Sequence, residues 1–380
     1  MVGIAFSTAA LIIVLSVFNG LEDLLRSLYS SFDPEIKIEA TKGKSFRADN
    51  DFISKIKSIP GVDIVTEVIQ DYAIVRYRDA VIPVTIKGVS DNFIDQHRLD
   101  DHIDEGKLRL KENGIEYAIL GRGIKHTLSL SLEDDFDLLQ VISIKNLKST
   151  SFLNPSKIYS QRNIKPGAIF SIEKSYDENY IFLPLDFVQD LLDYGNKRTA
   201  LEVKTSHVRD AREVQAKIKN AVGDSFLVLT NDEQHKDLYR LLKFEKLFTF
   251  LALSLLITIG SINIFFSLMM LAIDMKKDIS ILSALGGDQS LILKIFMTEG
   301  ALISFLGAGT GLFLGGFICW VQDRFGVVGM GMENAVIPDY PVRLKLLDFV
   351  YTSGVIVFVT FLVSVYPATR AAKFRTTDQL

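Results

Sequence analysis

The densest group of side chains able to bind a metal or move a proton is His97, Asp100, Asp101, His102 and Asp104. Imidazole and carboxylate groups at that density can ligate a divalent ion. The run is charged and loop-like, however, and reads as a solvated surface, so no metal is assigned to it. A second acidic group, Glu133, Asp134, Asp135 and Asp137, reads as a turn and strand edge rather than a catalytic pair. The sequence contains neither a Gly-Lys-Ser/Thr phosphate loop nor a His-Glu-x-x-His zinc helix. Without a Walker-type loop the chain cannot hydrolyse ATP alone by that mechanism. Cys319 is the single cysteine, which excludes an internal disulfide and any multi-cysteine zinc or iron–sulfur centre. Inside an apolar run it reads as a small buried hydrophobe. No catalytic, cofactor-binding or metal residue is assigned, and the chain reads as a non-enzyme.

The elements that carry the chain explain this lack of chemistry. The 380 residues are 48% hydrophobic and 23% charged, with a formal net charge of −4 and a pI near 5.8. An acidic balance argues against nucleic acid as a partner, because phosphate binding needs a basic excess. Four stretches carry no Asp, Glu, Lys or Arg: 1–20, 247–273, 300–321 and 349–369. Each is long enough to cross a hydrocarbon core, which takes about 20 helical residues. A signal peptide competes for the first stretch, but Met1-Val2-Gly3 supplies no side-chain charge, and an uncleaved anchor is the better reading. The chain opens inside that span, which reads as a truncated start. Basic residues do not orient the spans. Lys276, Lys277, Lys294, Arg370, Lys373 and Arg375 on one side are balanced by Arg240, Lys243, Lys246, Arg324, Arg343 and Lys345 on the other.

The segments between the spans have their own patterns. Residues 36–40 and 62–69 read as strands around a helix at 52–59, and 72–77 with 81–89 as a hairpin turning at Arg78-Asp79. Residues 208–221 read as an amphipathic helix and 226–230 as a strand. Thr230-Asn231-Asp232-Glu233 has the capping-box form. A helix from 232 to 275 would be about 65 Å long, twice the hydrocarbon thickness, so its first part is a stalk. Leu21, Leu24, Leu25 and Leu28 keep helical spacing after the first span until Pro34, and Leu238, Leu241 and Leu242 form a matching stripe. The two stalks are expected to pack, with Glu22 and Asp23 facing Arg240 and Lys243.

Between the second and third spans, Ile279, Leu282 and Leu285 make one apolar stripe on a short helix closed by Gly286-Gly287, with Asp278 at its start. Such a helix lies on a membrane or docks in a groove on a partner, and composition does not choose. In the third span Gly307, Gly311 and Gly315 recur at spacing four, the register in which membrane helices approach closely. The expected fold is a membrane protein of four transmembrane α-helices, one before and three after a large α+β, two-lobed extracytoplasmic domain. The expected boundaries are 1–33 for the first helix and stalk, 34–230 for the domain and 231–275 for the second stalk and span. Residues 276–299 follow as coupling helix and loop, then 300–321 and 349–369 as spans around a short loop at 322–348, and 370–380 as a tail.

Several of these stretches resemble one family along nearly the whole chain. Val2-Gly3-Ile4-Ala5 through Phe18-Asn19-Gly20, Lys87-Gly88-Val89, Leu242-Lys243-Phe244-Glu245-Lys246 and Tyr366-Pro367-Ala368-Thr369-Arg370-Ala371-Ala372 are its motifs here. Together they resemble the FtsX/MacB-like permeases of ABC transporters, in particular their lipoprotein-releasing (LolC/LolE-type) branch. Three departures are a missing cytoplasmic segment before the first span, Ser283 where a basic residue is common, and no Pro within Arg375-Thr376-Thr377-Asp378. The resemblance implies a multi-pass inner-membrane permease with its domain in the periplasm and Asp278, Ile279, Leu282, Leu285 and Gly286 docking an ATPase. It implies as partners an ABC ATPase dimer, which would bind ATP and Mg, and a second permease copy or paralogue. It further implies a lipoprotein substrate, membrane lipid and a periplasmic lipoprotein chaperone, for which the loop 146–162 with Pro155 lies at the docking position. Macrolide-exporter-like efflux and FtsX-like signalling to cell-wall hydrolases are the alternative functions it allows.

Overall fold

The computed structural model describes residues 2–132, 138–144, 159–207, 210–330 and 339–373. The chain begins with α1 (Val2–Phe32), β1 (Ile36–Ala40), β2 (Phe46–Arg47), α2 (Asn50–Lys57), β3 (Val62–Tyr77) and β4 (Ala80–Val89). It continues through β5 (Ile103–Gly106), β6 (Lys111–Glu112), β7 (Ile115–Gly121), α3 (Arg122–Leu128), β8 (Leu139–Ile144) and β9 (Tyr159–Phe170). Next come α4 (Lys174–Asn179), β10 (Tyr180–Pro184), α5 (Leu185–Leu192), β11 (Lys197–Arg198), β12 (Ala200–Thr205), α6 (Ala211–Val222) and β13 (Phe226–Thr230). The helices α7 (Asn231–Gln234), α8 (Lys236–Asp274), α9 (Lys276–Ala284), α10 (Gln289–Phe325) and α11 (Leu346–Ala372) complete it. These elements form two units, Arg26–Lys236 and Met1–Leu25 with Asp237–Leu380.

The first unit is organised by β3. Its 16 residues contain neither Gly nor Pro and are rich in Val, Ile and Tyr, so the strand stays extended. The sequence pattern suggested two strands, 62–69 and 72–77. They run on as one because Gln70 and Asp71 keep their register with Lys87 and Ile86 of β4. The turn expected at Arg78-Asp79 is present, with Arg78 at φ 53. The first half of β3 belongs to an antiparallel sheet ordered β13-β1-β12-β3. Ile53 and Ile56 of α2, with Val214 and Ile218 of α6, pack on that sheet's Ile36, Ile38, Val65, Leu201 and Val203. The second half pairs with both β4 and β8, and the path β3-β4-β10-β7-β9-β8 returns to β3. A six-stranded closed barrel results, filled by residues such as Tyr77, Ile86, Leu120, Ile169 and Phe187. The two-lobed α+β domain is therefore one sheet system with a shared strand.

Among the described residues, the second unit holds the four helices long and apolar enough to cross a membrane. α1 is 44% buried in its apolar window against 28–33% for α8, α10 and α11, so it is the most enclosed of the four. Leu11 and Leu15 of α1 pack with Ile257 of α8, Ala308 of α10 and Ile356 of α11. The expected continuous helix from 232 to 275 is interrupted: Thr230 does form the capping box, but α7 ends at Gln234 and His235 leaves helical geometry before α8 begins. α10 starts at Gln289, well before the charge-free run, because the Asp288 side chain accepts from the Leu291 N–H and caps it.

Candidate functional site

The short helix α9 is held to the ends of its neighbours by an apolar cluster. Ile279 packs with Ala272, Ile292, Phe296, Ala368, Ala371 and Ala372, and Leu282 lies against the same group. The alanines let the end of α11 approach closely. The expected single stripe is corrected here. Ile279 is buried and Leu282 half-buried, whereas Leu285 stands past the helix end and is 81% exposed. Gly286 follows at φ 96, a backbone position that suits glycine. The outward surface of α9 is formed by Lys277, Asp278, Ile281, Ala284 and Leu285. Ile279 faces inward because the chain must close α9 onto α10 and α11 before it can present anything outward.

The spaced glycines sit where backbones meet. Gly307, Gly311 and Gly315 are all buried. A Cβ on Gly315 would lie 3.0 Å from the Ala9 carbonyl oxygen, and one on Gly311 would press on Ala5 and Thr8. Gly20 of α1 likewise leaves no room for a side chain beside the Pro341 backbone. The loop that precedes α11 is thus laid against α1, with Arg343 N–H donating to the Ser16 carbonyl at 2.9 Å.

The stalk residues divide. Leu21, Leu24, Leu25, Leu238 and Leu242 are half-buried, while Leu241 is 61% exposed and does not share their stripe. Leu28 joins the domain core beside Phe32 rather than a stalk seam. Asp23 and Arg240 have other partners than the expected ones. Asp23 lies 3.7 Å from both Arg343 and Lys345, and Arg240 lies 3.9 Å from Asp237 on its own helix.

Within the domain unit, the last turn of α1 is gripped from several sides. Phe32 stacks on Tyr176 at 3.8 Å, and Tyr29 stacks on His235 at 3.9 Å. Asp33 accepts from the Tyr176 hydroxyl at 2.9 Å and lies 2.7 Å from His235 Nε2. Burial, followed by the Asp33 charge, raises the Tyr176 hydroxyl far above its ordinary pKa, so it remains a donor. The break at His235 is what lets its ring reach Asp33. Beneath this lies a buried ion group: Lys87 Nζ is 2.7 Å from Glu202 Oε1, and Arg98 bonds the other oxygen. Arg98 also donates to the Phe32 carbonyl at 2.9 Å, satisfying one of the orphan acceptors at a helix end. Burial alone would push Glu202 up, but the charges of Lys87 and Arg98 and their hydrogen bonds outweigh it and hold the carboxyl at about 2. Burial pulls Lys87 down. Two cations at the C-terminal end of α1 also suit its dipole.

His97 is 2.6 Å from Asp100, and Asp104 is 2.6 Å from Arg122. Among the described residues no His, Cys, Asp and Glu group is arranged to hold a metal. Cys319 is buried. Pro155 and the acidic group at 133–137 lie outside the described residues; the strands flanking 145–158, β8 and β9, pair antiparallel from Leu139↔Ile164 to Ile144↔Tyr159. Sequence reasoning missed Asn19, Lys246 and Asp348, which meet inside the membrane unit. Their signal was present: each is a polar residue at the end or the threshold of a charge-free run.

Comparison with known proteins adds to this geometry. The MacB-like periplasmic core domain matches residues 1–221, and the FtsX-like permease C-terminal region matches residues 250–375. The lipoprotein-releasing system transmembrane protein LolE of Haemophilus influenzae is 25% identical over 391 aligned positions, covering 98% of this chain and 91% of that protein. The corresponding LolC of Xylella fastidiosa is 26% identical over 190 residues, 48% of this chain and 46% of that protein. The solved periplasmic region of MacB from Actinobacillus actinomycetemcomitans covers 54% of this chain and 92% of its own, at 13% identity and a TM-score of 0.37.

Proposed function

From the premise that this chain belongs to the FtsX/MacB-like permeases of ABC transporters, we propose that it is the membrane subunit of a lipoprotein-releasing complex. The observation that carries this reading is the alignment with a lipoprotein-releasing protein across 98% of the chain. In this reading the domain is periplasmic, the helices span the inner membrane, and a separate ATPase dimer binds ATP and Mg. A second permease copy or paralogue completes the assembly, and a periplasmic chaperone receives the product. The physics fits an extractor. A lipoprotein anchor buries acyl chains at about 0.8 kcal/mol per methylene, so three chains amount to something on the order of 30 kcal/mol. Release then needs an outside energy source and a path to bring it in.

The path begins at the outward surface of α9. Ile281 is 59% and Leu285 81% exposed, an apolar pair beside Lys277 and Asp278. Helix-in-groove docking uses such anchors. Reconstitution with the ATPase in liposomes carrying a triacylated lipoprotein tests the reading through ATP-dependent transfer to a soluble chaperone. Leu285→Glu is expected to reduce transfer by about tenfold through lost ATPase docking, with the fold intact because Leu285 is 81% exposed. A complex that hydrolyses ATP but transfers no lipoprotein rejects the proposal. The match of the domain to the MacB-like core supports efflux as the second reading, and transport of an envelope substrate by that same complex would favour it.

A further inference from the structure

Three polar side chains that ATPase docking leaves unused meet inside the membrane unit. Asn19 of α1 is fully buried and Asp348 of α11 is 5% exposed. Asn19 Nδ2 donates to Asp348 Oδ2 at 2.5 Å and to the Arg343 carbonyl at 3.1 Å. Lys246 Nζ of α8 donates to Asn19 Oδ1 at 2.7 Å and lies 3.3 Å from Asp348 Oδ1. The amide therefore spends both hydrogens and its oxygen on one cluster. All three lie at the same end of their spans: Asn19 near the close of 1–20, Lys246 just before 247–273 and Asp348 just before 349–369. Asp348 is in the first turn of α11, where the helix dipole favours an anion.

A charge beside a bilayer is expensive unless paired, and apolar side chains of similar size hold helices together as well or better. What a polar cluster adds is register: it fixes which turn of one helix faces which turn of another. The position of α11 gives that register a use. Its far end carries Ala368, Ala371 and Ala372, the residues that pack on Ile279 of α9. Its near end carries Asp348. α11 is thus one continuous helix, with Pro367 in its last turns, that meets α9 at one end and α1 and α8 at the other. Lys246, with 29% of its side chain exposed, can follow a moving carboxylate, whereas Asn19 cannot.

Building on the permease reading above, we propose that Asn19, Lys246 and Asp348 are positioning residues. They form the joint through which α11 passes a displacement of α9 to the two helices whose chains continue into the domain.

The test uses the assembled complex with Cys319→Ser and one reporter cysteine, Leu24→Cys, labelled by a maleimide with and without ATP plus vanadate. Lys246→Asp and Asp348→Lys are made singly and together. The parent is expected to change its labelling rate with ATP. Each single variant should lose that change by about tenfold while hydrolysis continues, since groups in one network couple strongly. The double variant should regain it, because the Asn19 amide can turn end for end and serve the exchanged charges. Single variants that assemble and keep the full ATP-dependent change would make the cluster mere glue and overturn the proposal. So would a double variant that assembles yet regains nothing, or a parent whose labelling ATP does not alter. Lipoprotein transfer is measured alongside: a parent that responds to ATP without transferring lipoprotein rejects the release reading and leaves the joint standing.

Discussion

Two carboxylates are buried to nearly the same degree, Glu202 at 1% in the domain unit and Asp348 at 5% in the membrane unit, and they are held in different ways. Glu202 has a cation on each oxygen, Lys87 at 2.7 Å and Arg98. Both cations are themselves confined, Lys87 over the rings of Phe32 and Phe182 and Arg98 over Phe93. Glu202 and Lys87 stand on β12 and β4, two of the strands paired with β3, whose ladders fix their separation. Asp348 has one lysine, one amide and a place in the first turn of α11, the helix proposed above to carry the displacement. The contrast teaches that burial does not by itself define a role. The number of fixed counter-charges, and the stiffness of what carries them, separates an anchor from a joint.

Breaking the anchor should have the largest effect. Glu202→Leu leaves Lys87 and Arg98 buried without a counter-charge, a loss of about 3–5 kcal/mol. Thermal unfolding of the purified protein should then fall by roughly 10 °C, and an unchanged midpoint would remove the distinction between the two sites.

Acid should have a slightly smaller effect. The folded carboxyl of Glu202 sits near 2 against an ordinary 4.5, so its contribution is complete above 4.5 and is lost as pH falls toward 2. That window corresponds to about 3 kcal/mol. The stability gap between the native protein and Glu202→Gln should therefore be constant above pH 5 and close as the pH is lowered. A gap that stays open at pH 2 would mean that the lost hydrogen bonds, not the charge, carry the anchor.

The smallest effect concerns packing in the membrane unit, where backbones touch and fixed ion groups are fewer. Gly311→Leu should cost about 1–3 kcal/mol, because its side chain would run into Ala5 and Thr8 of α1. Gly309→Leu, with nothing within 4 Å, serves as the matched control. Equal unfolding midpoints for the two would show that glycine spacing is not what brings α1 and α10 together.

The four spans, the domain between them and the two-lobed α+β class were legible in the amino-acid order, because hydrophobic run length and strand alternation are local properties. That order also displayed the family motifs, among them Asn19-Gly20, Lys87 and Lys246. It did not display what those motifs touch. Ile279, Leu282 and Leu285 share a face by helical spacing, yet only the closing of α9 onto α10 and α11 decided that Ile279 turns inward and Leu285 outward. Leu241 obeys the same spacing as Leu238 and is nevertheless 61% exposed. The barrel closed by β8 between β3 and β9 and the group of Asn19, Lys246 and Asp348 join residues far apart in the chain. Periodicity reports which residues lie on one side of an element. Which neighbour meets that side is settled by tertiary packing, where shape and charge from distant segments must be satisfied together.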